Sequence, residues 1–157
     1  MWRSLSGKPS PDFLEEVRRL SSLNGRVLHV GTDSKQRAYH TDYVTAVAIL
    51  HPGSGGRIFY KRLREQQSPS LSHKLFLETQ LSLEVAQLLD AEEMGPIVVH
   101  VDANDDLKHM SSKYVKALAG MVVGYGFQVR VKPNSWCATH VADFVVNERN
   151  GRAGRVA

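Results

Sequence analysis

The chain has 157 residues, 42% apolar and 23% charged, the proportions of one globular domain rather than of a disordered segment. Twenty Lys and Arg against 16 Asp and Glu give a formal charge of +4, mildly basic and compatible with a polyanionic partner. A single cysteine, Cys137, excludes an internal disulfide and a cysteine-based zinc site, and no apolar run approaches the ~18 residues of a membrane span.

Met1–Ser10 carries Arg3 and Lys8 but no apolar h-region, so the expected setting is cytoplasmic, without a secretory signal. Ser10-Pro11-Asp12 reads as a helix start, with Phe13, Leu14, Val17 and Leu20 at helical spacing and Asn24-Gly25 as the stop. Residues 1–25 are thus expected to form a helix packed on a domain spanning 26–148, with 149–157 as a flexible basic tail. Val27–Thr32 is a short apolar run feeding Asp33-Ser34 and reads as a strand buried on both faces. Tyr43–Leu50 and Arg57–Leu63 read as two further strands joined through a Gly-rich turn at 53–56. Ser68-Pro69-Ser70 opens a long helix over Leu71–Leu89. Pro96–Val101 is a fourth strand ending at Asp102, and Ser111–Gly124 is helical. Phe127–Val131 is a fifth strand, and Asn134-Ser135 caps a last helix over Trp136–Asn147. Three hairpin-linked strands followed by alternating helices and strands predict an α/β fold: a five-stranded mixed sheet with helices on both faces.

Four acids stand out by position. Asp33 and Asp102 close two apolar strands, and ligands of α/β sheets bind outside such carboxyl ends. If those strands are neighbours, the two like charges need a cation or a proton between them, and oxygen ligands select Mg²⁺ or Mn²⁺. Glu78 falls inside the apolar arc of the long helix, between Leu75 and Val85, where an unpaired carboxylate is costly; Glu84, at the arc's edge, is its rival. Asp143 lies on the last helix among Ala142, Phe144, Val145 and Val146. The plain alternative is that Asp33 and Asp102 are turn or capping residues.

Several segments together resemble the YkuK-type ribonuclease H-like family. They are Val30-Gly31-Thr32-Asp33-Ser34, Thr41-Asp42-Tyr43-Val44-Thr45 and the Gly-Gly-Arg-Ile-Phe-Tyr run at 55–60. Val99-His100-Val101-Asp102-Ala103-Asn104, Gly124-Tyr125-Gly126-Phe127, Lys132-Pro133-Asn134-Ser135-Trp136 and Val141-Ala142-Asp143 complete the set, which runs from Val27 to Val146. The resemblance implies a ribonuclease H-like sheet of order 3-2-1-4-5 with the second strand antiparallel to the rest. It also implies metal ligands at the places of Asp33, Glu78, Asp102 and Asp143. Asp33-Ser34-Lys35 in place of Asp-x-Glu implies the ribonuclease H, resolvase and integrase side rather than the DnaQ-like exonucleases. The implied activity is hydrolysis of phosphodiester bonds in RNA or RNA-containing duplexes, with two Mg²⁺ or Mn²⁺ ions about 3.5–4 Å apart.

Lys113 and Lys116, one turn apart, and Arg130 and Lys132, on one face of the fifth strand, are candidates for holding the nucleic-acid backbone; Lys61, Arg62 and Arg64 add charge on the third strand. Alternation puts His29 behind Asp33 and His100 behind Asp102, as supporting residues or as hydrogen-bonded core histidines. His140 and His109 are expected near the rim; Asp42, before the second strand, reads most simply as a strand-start acid, with a supporting place at the site as the alternative. Two other readings stay open: a non-catalytic nucleic-acid-binding module, and a hydrolase of a small phosphorylated molecule. Gly53-Ser54-Gly55-Gly56 lacks the Lys-Ser/Thr of a phosphate loop.

Overall fold

A computed structural model describes residues 1–22, 26–51, 53, 55–104, 106 and 108–148. Its strands are β1 (Arg3–Ser4), β2 (Leu28–Gln36), β3 (His40–His51), β4 (Gly55–Gln66), β5 (Ile97–Asn104) and β6 (Gln128–Lys132). The sheet order is β1-β4-β3-β2-β5-β6, with β3 antiparallel to β2 and β4, and β2, β5 and β6 parallel. The five long strands thus take the ribonuclease H-like order. The sixth strand corrects the expected five: Arg3 and Ser4 pair with Tyr60 and Phe59, a two-residue contact too short to leave a sequence pattern. Trp2 supports it by stacking on Phe13 with ring centroids 3.9 Å apart.

The helices are α1 (Phe13–Ser21), α2 (Leu71–Ala91), α3 (Val115–Gly124, entered through a 3₁₀ turn at Met110–Tyr114) and α4 (Asp143–Asn147, entered through a π-helical turn at Cys137–Ala142). Ser70 caps α2 by accepting from the His73 N–H. Ser10 does not cap α1: its hydroxyl donates to Glu16 at 2.5 Å, and α1 starts later than Pro11. The Asn24-Gly25 stop and the 149–157 tail lie outside the described residues.

Asp33 and Asp102 do not follow their strands; they lie inside them. β2 continues to Gln36 because β3 pairs with it to Thr41, and β5 continues to Asn104, which pairs with Lys132. Ladder hydrogen bonds from neighbouring strands override the weak strand preference of such polar residues.

Each face of the sheet buries its own core. On one face, Leu28, Val30, Val47, Ile49, Phe59, Val99 and Val101 pack under α1, α2 and α3, with Phe13, Val17 and Leu20 of α1 included. On the other, Val44, Ala46, Ala48 and Tyr60 meet Cys137, Ala142, Val145 and Val146. β2 and β5 are covered on both faces, which is why their sequences read as continuous apolar runs. No helix among the described residues is long and apolar enough to cross a membrane.

Candidate acidic site

The parallel register pairs Gly31 with His100. Side chains alternate along a strand, so His29 and Asp33 of β2 share one face with His100 and Asp102 of β5. This is the face covered by the π-turn and α4. Gly31 lets that cover sit close: a Cβ there would lie 2.6 Å from the Ala138 nitrogen and 2.7 Å from the Cys137 carbonyl carbon. The Cys137 N–H donates to His100 Nδ1 at 3.3 Å, and Cys137 Sγ lies 3.6 Å from the His29 carbonyl oxygen. Held this way, the widened turn delivers Asp143 beside Asp33. Such π-turns recur at functional sites.

The electrostatics record the convergence. Burial, then the Asp102 charge, then a hydrogen bond with Asp143, push the Asp33 carboxyl up to about 7. Glu78 arrives from α2, on the opposite face, and accepts from Ser34 Oγ at 2.5 Å. Burial, then the Asp33 charge, push it up to about 8, against the opposing pull of Lys74 and Ser34. Glu84 is exposed and bonds Gln80, so Glu78 is the α2 acid that approaches Asp33. Asp102 Oδ1 is buried without an aligned hydrogen bond, but Lys132 Nζ stands 2.8 Å away as an ion pair. The Asn147 amide donates to Asp143 Oδ1 at 2.8 Å and steadies it. Four acids from four elements therefore share one electrostatic neighbourhood, although among the described residues no three of them stand together as a preformed metal-ligand set.

His29 and His100 meet behind the acids, with His29 Nδ1 and His100 Nε2 2.9 Å apart. His100 Nδ1 accepts from Cys137, so its proton resides on Nε2 and is donated to His29 Nδ1. Burial, assisted by Arg130, pushes His29 down to about 4; burial, then His29 and Arg130, push His100 down to about 3. Both rings are neutral near pH 7 and pack against Trp136, at 4.6 and 4.9 Å between centroids. They are hydrogen-bonded core histidines that fix the floor of the site.

Other candidates are not brought to the acids. Asp42 lies further along β3 and pairs with Arg37, His40 and Arg64. His140 is exposed on the π-turn. Lys113 and Lys116 are exposed, and the charges felt by Asp33 and Glu78 come from other residues. Arg130 is exposed beside the histidines, whereas Lys132 is committed to Asp102 rather than free for a phosphate. Sequence reasoning missed Ser34, whose opposite-face position on β2 follows from strand alternation; helical spacing does put Asn147, one turn after Asp143, on the same side of the last helix.

A family profile described as Ribonuclease H-like matches residues 14–146. The uncharacterized protein YkuK of Bacillus subtilis (strain 168) is 25% identical over 152 residues, covering 84% of this chain and 87% of that protein. No solved structure matches. The matched residues span the five long strands and all four acids, and the chain belongs to the ribonuclease H-like family.

Proposed function

We propose that this protein is a divalent-metal-dependent nuclease that hydrolyses phosphodiester bonds in RNA or RNA-containing duplexes. The observation that carries this reading is the convergence of Asp33, Glu78, Asp102 and Asp143, with two of these carboxyls held proton-bearing by burial and mutual repulsion. Such a cluster needs protons or a cation to persist. The donor set fits Mg²⁺ or Mn²⁺, since it is all carboxylate oxygen, and Asp102 already attracts a cation in the form of Lys132.

Asp33, Glu78, Asp102 and Asp143 would hold the metal. Bound divalent ions would supply an activated water and neutralise charge on the leaving oxygen. The chain's own residues prepare that state. Ser34 orients Glu78 and Asn147 orients Asp143. Asp33 and Glu78 must release their protons, and Lys132 must exchange Asp102 for substrate phosphate. The Lys132–Asp102 pair also favours a second reading, a binding module in which the lysine permanently takes the cation's place.

The test is cleavage of end-labelled RNA, DNA and hybrid oligonucleotides in Mg²⁺ or Mn²⁺ by wild type, Asp33→Asn and Glu84→Gln. The nuclease reading expects cleavage that Asp33→Asn abolishes and the exposed Glu84→Gln keeps. Cleavage surviving in Asp33→Asn refutes the assignment; binding without cleavage favours the module.

A further inference from the structure

We infer that the guanidinium cluster beside Asp42 is a phosphodiester-binding subsite for the nucleic-acid strand flanking the acidic site. This rests on the nucleic-acid reading above. Two strands, the turn between β2 and β3, and the residue after α4 contribute to it: an open cavity of about 450 Å³ is lined by Arg37, His40, Asp42, Arg62, Arg64 and Glu148.

Asp42 organises the cluster. Arg64 Nε donates to Asp42 Oδ1 at 3.0 Å, while Arg37 Nε and His40 Nε2 lie 3.3 Å from Oδ2. Burial pushes the Asp42 carboxyl up, but hydrogen bonds from Arg64 and Arg37 overcome it and hold it below the usual range. A charged Asp42 thus sets two guanidiniums side by side. Backbone carbonyls of α4 hold Arg37 a second time and fix Arg62: Arg37 Nη2 donates to Val146 O at 3.0 Å, and Arg62 Nη2 to Val145 O at 2.9 Å.

Each anchor uses only part of a guanidinium's five donors, and planar forks match phosphate oxygens in pairs. The three arginines outnumber Asp42 and Glu148, so the cavity keeps a positive balance. Its place is equally telling. Asp42 follows the same face as Asp33, one strand over and two residues beyond the pairing of Asp33 with Val44. At roughly 3.3 Å per residue, that is about 7 Å along the strand, the scale of one nucleotide step. Arg64 is the natural probe because its side chain is 60% exposed and holds only Asp42, whereas Arg37 and Arg62 also hold α4.

The experiment measures binding of fluorescein-labelled 12-nucleotide RNA and DNA in EDTA, where the acids carry no metal, across a salt series. Wild type, Arg64→Gln, Arg64→Lys and a control, Arg57→Gln, are compared. The subsite predicts that Arg64→Gln weakens binding about tenfold and lowers the salt slope by about 0.7, with Arg64→Lys intermediate and the control unchanged. Equal losses on RNA and DNA identify the shared phosphodiester, and a loss on RNA alone would assign the contact to the ribose and overturn the phosphate assignment. Affinity and slope unchanged in Arg64→Gln overturn the subsite, as does absence of any binding by wild type. The nuclease reading is judged separately, by the cleavage assay on wild type and Asp33→Asn, and an equal Mn²⁺-induced melting shift in wild type and Arg64→Gln is the expected sign that the substitution leaves the acidic site intact.

Discussion

Replacing Gly31 with Ala is the sharpest perturbation of how this site is assembled. The added Cβ would stand 2.6 Å from Ala138 N and 2.7 Å from Cys137 C, both backbone atoms of the π-turn. Ordinary contact begins at 3.4 Å, so the turn must retreat by about 0.8 Å. No side-chain rotation relieves such a clash. Overpacking of this kind costs about 1–3 kcal/mol, and a backbone clash lies toward the upper end. The retreat also loosens the contacts of Cys137, Ala142, Val145 and Val146 with β3, and draws Asp143 from Asp33. The matched control is Gly120→Ala in α3, where a Cβ meets nothing within 4 Å. Helix propensity predicts that it stabilises by about 0.5–1 kcal/mol. Urea unfolding and melting report both: Gly31→Ala should melt about 6–10 °C lower and the control slightly higher. If Gly31→Ala unfolds within about 0.5 kcal/mol of wild type while the control behaves as stated, the close-approach argument fails.

Three further outcomes follow from the site. Asp33 and Glu78 have raised folded pKa values, so the stability they contribute is complete below the unfolded carboxylate pKa near 4 and is lost as pH rises through about 7 and 8. In EDTA, wild-type melting temperature should fall across that window relative to Asp33→Asn/Glu78→Gln; parallel curves would contradict it. His29 and His100 have lowered folded pKa values, so their contribution is present above about 6.5 and is lost as pH falls toward about 4 and 3. A His29→Gln/His100→Gln variant, less stable at pH 7, should lose less than wild type between pH 6.5 and 4, measured by urea unfolding at each pH. Lys132→Met should cost about 0.5–1 kcal/mol at pH 8 in EDTA, a modest value because the lysine is 41% exposed, and should tighten Mn²⁺ binding by freeing Asp102. Unchanged Mn²⁺ affinity in calorimetry would show that Lys132 does not compete for the cation's place.

Much of this arrangement was legible in the residues. The apolar runs at Leu28 and Ile97 announced doubly covered strands, and alternation alone set His29 behind Asp33 and His100 behind Asp102. Glu78 stood out because a carboxylate interrupted an apolar arc, and burial selected it over Glu84. What stayed hidden depends on contacts between distant segments. Polar Asp33–Gln36 forms strand only because Thr41–Val44 pairs with it. The sequence Cys137–Ala142 suits an ordinary α-helix; it widens where it lies over Gly31 and His100, residues more than 35 positions away. Asp42 reads in the sequence as a strand-start acid; it lies inside β3, and the hairpin register that sets it opposite Arg64 leaves no local signature. The same register sets Arg62 and Arg64 beside Asp42, and the turn between β2 and β3 adds Arg37 to the cavity.

The most direct measurement is calorimetric titration of Mn²⁺ into wild type and Asp33→Asn at pH 7.5, run in two buffers of different ionisation enthalpy. A carboxylate metal site predicts saturable binding by wild type with proton release, since Asp33 and Glu78 must deprotonate on binding. It also predicts loss of that binding in folded Asp33→Asn. Equal binding by both proteins, or no binding by wild type at millimolar Mn²⁺, would contradict the assignment of these acids to a metal site.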